Sequence, residues 1–473
     1  MVSPVRIPAA LAAAGNFVAL GVALGVALGV AFGAALGGTL GALATSARAD
    51  KLAPDELAHK KDGGYVTGLP LAAYGTDIGV GFGARVYYYW DGHPDDPRFG
   101  DTPYLYRLFL QGFGSTRGLQ FHWLDFDAPK IFDTPYRLRS QLIYARNINN
   151  NYFGDGAHAL DPLRFPGQAR SYTSYADYTG DQQRIGADGR AYTKYDQYDL
   201  VRPVFIASIE RLFDHDRIRV LAGLGVSYGG VHDYTGKQVD AIDAAGAGTQ
   251  AIEAPTRLAE DCAARRLVGC GGGRDNYLRL GISYDTRDFE PDPNTGAFLD
   301  LAIDAGTAAL GSQFDYVRAM AAARGYWSPI PELADLVLAG RLVFEAQTNG
   351  TPFFAMDSLP FTEDPRTGLG GNRTMRGFRQ DRFVGSVMTL ANAELRWTFG
   401  HLTAWGQRFG FIAAPFFDAG RPYDALDQLS LRGWRASYGG ALRIAWNLAT
   451  VVTIDYGLSS EDTGFYINFN HIF

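Results

Sequence analysis

Ile78-Gly-Val-Gly-Phe-Gly-Ala-Arg-Val-Tyr-Tyr88 is the stretch that decides the fold. Ile78, Val80, Phe82, Ala84 and Val86 are apolar, while Gly79, Gly81, Gly83 and Arg85 fill the places between them. Side chains two apart in a strand share a face, so this period of two predicts a β-strand with one greasy side and one small or charged side. The split recurs in Ile218–Tyr228 and in Asn276–Asp285. In Ala391–Phe399 the apolar set Ala391, Ala393, Leu395, Trp397 and Phe399 opposes Asn392, Glu394, Arg396 and Thr398.

Alternation alone fits a water-soluble sandwich as well as a membrane barrel. Three features favour the barrel. The strands run to around ten residues or more, as a tilted bilayer crossing requires. Aromatic residues gather near strand ends, in Tyr87-Tyr88-Tyr89-Trp90, Trp434, Tyr438 and Trp446, as interfacial girdles do. Arg, Asp and Glu recur on the small-residue face, which suits a polar lumen. About sixteen such runs follow one another, from Tyr65–Tyr74 to Gly464–Phe473, with long connections after odd strands and shorter ones after even strands. The expectation is an all-β transmembrane antiparallel barrel over residues 65–473, with long outer loops and short periplasmic turns.

The totals agree. Gly 58, Tyr 26 and Phe 30 are high, and a mean hydropathy of -0.10 is what alternating faces average to. A formal charge of -7 speaks against a nucleic-acid partner. Cys262 and Cys270 sit close together in a polar, glycine-rich connection with no His or second Cys pair beside them, which favours a local disulfide over a metal site.

The N-terminus carries no charge from Ile7 to Ala47, follows Arg6, and ends in Ala47-Arg48-Ala49. This reads as a signal peptide over 1–49, with an uncleaved anchor as the alternative, and a short periplasmic linker over 50–64. At the other end, Phe465, Ile467, Phe469 and Phe473 fall on one face of a closing strand with a terminal aromatic residue.

One connection stands out. Gly370-Gly371-Asn372-Arg373-Thr374-Met375-Arg376-Gly377-Phe378 is a glycine-flanked basic tip inside a long loop, where glycine permits sharp folding and close backbone approach. Arg376-Gly377-Phe378, then Asn392-Ala-Glu394-Leu-Arg396 on the next strand and Phe416-Phe-Asp418-Ala-Gly420 on the one after, resemble the sixth-loop and adjacent-strand motifs of the BamA/TamA surface-antigen superfamily. Asp285-Thr-Arg287-Asp288, followed by Pro293 and Gly296, is similar to its turn motif. The match spans nearly all of residues 65 to 473. The resemblance implies a loop folded into the lumen, its tip Arg376, Gly377 and Phe378 meeting the wall at Asp418 with Glu394 nearby. Alternation supports this independently, since both acids fall on the inner face of their strands.

The resemblance also implies partners. Members that fold or translocate proteins carry periplasmic POTRA domains, and Asp50 to Gly64 leaves no room for one, so an assembly role calls for a separate periplasmic or POTRA-bearing protein besides outer-membrane lipid. A weak seam is expected where the first strand, with Gly68 and Pro70, meets the last, because proline lacks a ladder donor.

No catalytic, cofactor or metal site is legible. Gly225-Val-Ser227-Tyr-Gly229 matches G-x-S-x-G, but lies mid-strand where a nucleophile elbow needs a turn and a helix. His122, His158 and His232 lie in separate segments, and Gly79–Gly83 lacks the spacing of a nucleotide loop. The loop Ala169–Tyr198, rich in Tyr, Asp and Gly, reads as a solvated surface cap, with binding at the cell surface as the alternative. What the resemblance implies for function is insertion or export of protein, or lipid, through a lateral seam, with a passive channel gated by the inserted loop as the alternative. Client, solute and oligomeric state are not encoded legibly.

Overall fold

The computed structural model describes residues 62–473 except 97–98, 100–101, 103, 215, 289–291, 332–334, 364–365, 405–406, 447–449 and 470. The expected signal peptide and nearly all of the linker lie outside the described residues. Sixteen antiparallel strands close into one barrel. In chain order they are β1 Gly64–Gly75, β2 Gly79–Trp90, β3 Tyr106–Ser115, β4 Leu119–Ala128, β5 Tyr136–Asn151, β6 Gln197–Phe213, β7 Ile218–His232 and β8 Gly273–Asp285. The second half comprises β9 Gly296–Gly306, β10 Tyr316–Trp327, β11 Leu336–Gln347, β12 Val387–Ala404, β13 Gln407–Tyr423, β14 Arg435–Trp446, β15 Thr450–Ser459 and β16 Thr463–Phe469.

The two faces carry inverted polarity compared with a soluble protein. Outward positions are apolar and exposed: Phe82 is 64% exposed, Trp397 50% and Phe417 50%. Inward positions are charged and buried, among them Arg279, Asp300, Asp304, Arg318, Arg324, Arg341 and Glu345. Water would reject that exterior, and a bilayer accepts it. Inside, opposite charges on neighbouring strands pair: Arg279 forks onto Asp304 with two bonds of 2.7 Å, and Arg318 Nη2 lies 2.6 Å from Glu345. Register places Arg279 directly opposite Asp304, while Arg318 stands opposite Gln347 and reaches Glu345 diagonally, two residues along the facing strand.

Long connections follow β5, β7 and β11. The first two build a cap with its own aromatic core of Phe153, Phe165, Tyr172, Tyr178, Tyr192 and Tyr195. Within it a helix, Tyr175–Gln182, starts where the Ser174 hydroxyl accepts from the Asp177 amide, and a two-stranded hairpin pairs Gln238–Ile242 with Gly248–Ile252. Cys262 and Cys270 are joined by a disulfide in this cap. Two expectations change. The last strand stops at Phe469, and Ile472 and Phe473 are buried with Tyr326, Val337 and Ala339 instead of extending the outer face. Tyr87 turns inward to line a cavity, leaving Tyr88 outside, as the period of two set by Arg85 requires.

Candidate functional site

The site is assembled where the β11–β12 connection meets the wall formed by β12 to β16. Arg376 is fully buried. Its main-chain N–H and Nε both donate to Asp418 Oδ2, at 3.1 and 2.9 Å, and Nη2 donates to Oδ1 at 3.0 Å. Nη1 reaches Glu394 Oε1 at 2.8 Å and Asp455 Oδ1 at 3.0 Å. Its guanidinium carbon also sits 3.3 Å from the centre of the Phe416 ring. Glu394 in turn accepts from Arg396 Nε at 2.9 Å and from Arg443 Nη2 at 2.6 Å. Arg376, Arg396 and Arg443 thus face Glu394, Asp418 and Asp455, so the buried charges balance.

Glycine makes the approach possible. Gly377 takes a positive φ of 96°, and a Cβ there would meet the Gly457 and Leu458 backbone at 2.9 Å. A Cβ on Gly457 would meet the Arg376 carbonyl carbon at 2.6 Å. Loop backbone therefore lies directly on β15 backbone, which only two glycines allow. Phe378 packs with Phe383, Met375, Leu369 and Leu390 in a buried cluster.

The tip is also tied to the end of the chain. Tyr466 Oη accepts from the Gly377 N–H at 3.3 Å, and the Ser459 hydroxyl donates to the Gly377 carbonyl at 2.8 Å. Arg341 donates to Asn392, to the Ile472 carbonyl and to the Arg373 carbonyl, joining wall, tail and loop. Arg443 Nη1 donates to His471 Nδ1 at 2.7 Å, and the other ring nitrogen lies 2.8 Å from Asp292.

The turn motif occupies the β8–β9 connection. Arg287 forks back onto Asp285 at 2.9 and 2.7 Å and lies 3.1 Å from Glu363, while Asp288 accepts from the Asn294 and Thr295 amides. Glu363 belongs to the same β11–β12 connection as Arg376 and also meets Arg324 at 2.7 Å. The sequence motifs named neither Asp455 nor Arg443. Alternation carries their signal: Thr453, Asp455 and Gly457 interleave with Val452, Ile454 and Tyr456.

One junction differs from the rest. β1 pairs with β2 along its whole length, from Gly64 opposite Trp90 to Gly75 opposite Gly79. With β16 it shares only Tyr74 opposite Ile467 and Gly75 opposite Tyr466. Beside those two pairs stands Arg379, with Nε 2.7 Å from Asp462 in the β15–β16 turn. Its Nη1 is 3.7 Å from Asp77 in the β1–β2 turn and donates to the Thr76 carbonyl at 2.8 Å. Ser227, the centre of the G-x-S-x-G match, lies within β7 and donates to the Asp275 carbonyl at 2.9 Å, so no elbow forms.

A sixteen-stranded barrel with an apolar exterior and an ion-paired interior defines an integral outer-membrane β-barrel protein. Residues 115–473 match the Omp85 superfamily domain, and the chain belongs to that superfamily. Residues 45–105 match a domain of unknown function, and no curated protein matches. Among solved structures, the chain is similar to BamA from Haemophilus ducreyi lacking POTRA domains 1-3, with 14% identity, a TM-score of 0.51, and coverage of 87% of this chain and 70% of that one. CdiB from Escherichia coli is matched at 9% identity and a TM-score of 0.49, over 85% of this chain and 62% of that one. The resemblance to the BamA/TamA superfamily thus holds for the fold.

Proposed function

We propose that this barrel inserts or exports protein, or lipid, by parting β1 from β16, with the β11–β12 loop held inside the lumen as the element that keeps the wall in register. The observation that carries the reading is the two-residue pairing of β1 with β16, which leaves the edge of β1 from Gly64 to Ala73 without a partner strand among the described residues. Each missing ladder bond removes about 0.5–1.5 kcal/mol that every other strand pair enjoys. Support for the inserted loop comes from Arg376 buried against three wall strands and from Glu363 reaching the β8–β9 turn. A separate periplasmic protein that presents the client belongs to the same proposal. Depletion in the native host tests it: loss of other outer-membrane barrels on depletion, restored by the wild-type chain, supports assembly, whereas an unchanged outer-membrane protein profile sinks that role.

A further inference from the structure

The barrel holds a chamber of about 750 Å³ between the β2–β6 wall, β8–β10 and the β11–β12 loop. Most of its arginines are neutralised by the wall itself. Arg107 pairs with Asp125, Arg279 with Asp304 and Arg318 with Glu345. Arg85 differs: its Nε donates to the Gln111 amide oxygen at 2.7 Å, and no carboxylate lies within ion-pair distance of it among the described residues. That leaves the two terminal nitrogens of its guanidinium as a fork, the geometry that binds two oxygens of an anion at once.

Aromatic rings lead to the same place. Tyr65 on β1 stacks on Tyr89 at 5.2 Å, Tyr89 on Tyr87 at 5.7 Å, Tyr87 contacts Phe109 at 4.9 Å, and Phe109 contacts Trp123 at 4.9 Å. The ladder starts on the strand whose edge is unpaired and ends in the chamber wall. Arg85 stands beside it, 5.9 Å from the Phe109 ring and 5.8 Å from Phe469 on β16. Arg373, from the loop, donates to the Phe469 carbonyl and also lines the chamber.

We propose that this chamber is a binding site for a phosphate group, anchored by Arg85, with the ring ladder bedding the apolar or flat portion of the molecule that bears it. Phosphate is the anion the bilayer offers at the open edge of β1. Only the lateral route of entry rests on the seam reading, because a soluble ligand reaches the chamber whether or not the seam parts.

The test is calorimetric titration of the folded full chain in neutral detergent with dihexanoyl phosphatidylglycerol, dihexanoyl phosphatidylcholine and inorganic phosphate. Arg85→Gln and Arg85→Lys are compared with wild type, each first shown to keep its heat-resistant gel mobility. The expected result is saturable binding of the anionic lipid that weakens at least about tenfold in Arg85→Gln and is partly recovered in Arg85→Lys. Binding of inorganic phosphate with the same Arg85 dependence assigns the site to phosphate itself, and its failure alongside lipid binding assigns it to the amphiphile. Lipid binding that does not respond to Arg85, whichever lipid is bound, overturns the proposal, as does no binding at all.

Discussion

Arg376 and Asp418 are joined by three hydrogen bonds, one from the main chain and two from the guanidinium, at a point where neither side chain touches solvent. A loop arginine and a wall carboxylate so placed share one fate. Removing either strands the other in a dry interior, so Arg376→Ala and Asp418→Ala are each expected to cost about 3–5 kcal/mol. Heat-modified mobility of the detergent-solubilised barrel reads this as a lower unfolding temperature. The double variant is expected to lose less than the sum of the singles, and strict additivity would show that the pair is not coupled.

Gly457 tests the backbone contact separately from the charges. Gly457→Ala puts a methyl 2.6 Å from the Arg376 carbonyl carbon, so a loss of about 1–3 kcal/mol is expected with every ion pair intact. Gly440, whose added Cβ meets nothing within 4 Å, supplies the control: Gly440→Ala is expected to leave the unfolding temperature unchanged.

Arg379 joins the first turn to the last across the weak junction. Arg379→Ala removes the contacts to Asp462 and Thr76 while leaving both register pairs, so opening events in single-channel records are expected to become more frequent, without a change in overall unfolding free energy beyond about 1 kcal/mol. An unchanged opening frequency would show that the clamp is idle.

The cap is expected to loosen as pH rises. Burial, then the negative charge of Asp424, pushes the Asp155 carboxyl up to about 7, and burial pushes Glu253 up to about 8. An acid whose folded pKa is raised favours folding when protonated, so its contribution is complete below about 4 and fades as pH climbs through about 7 to 8. Protease cleavage within residues 152–196 and 233–272 is expected to be slower at pH 5 than at pH 8.5. Asp155→Asn and Glu253→Gln are expected to flatten that difference.

How much of this could be read from the sequence follows from its physics. All sixteen strands were legible because period two is a local signal, and Asp418 and Glu394 were placed inward by it. Local patterns cannot show where a chain end goes. Phe473 shares the phase of Phe465 and Phe469, yet it leaves the strand because Arg341 and Arg396, from distant strands, donate to the Ile472 and Phe473 carbonyls. Asp455 was visible to alternation but carried no motif, so its convergence on Arg376 appears only when the barrel closes.

The most direct measurement concerns the junction of β1 and β16. Tyr74 and Ile467 are register partners, so Tyr74→Cys with Ile467→Cys, in a Cys262→Ser/Cys270→Ser background, places one removable crosslink across it. In planar-bilayer recordings the reduced form is expected to show small, flickering conductance that oxidation abolishes and reductant restores. A large, steady conductance indifferent to the crosslink would contradict a parting seam and leave a passive channel.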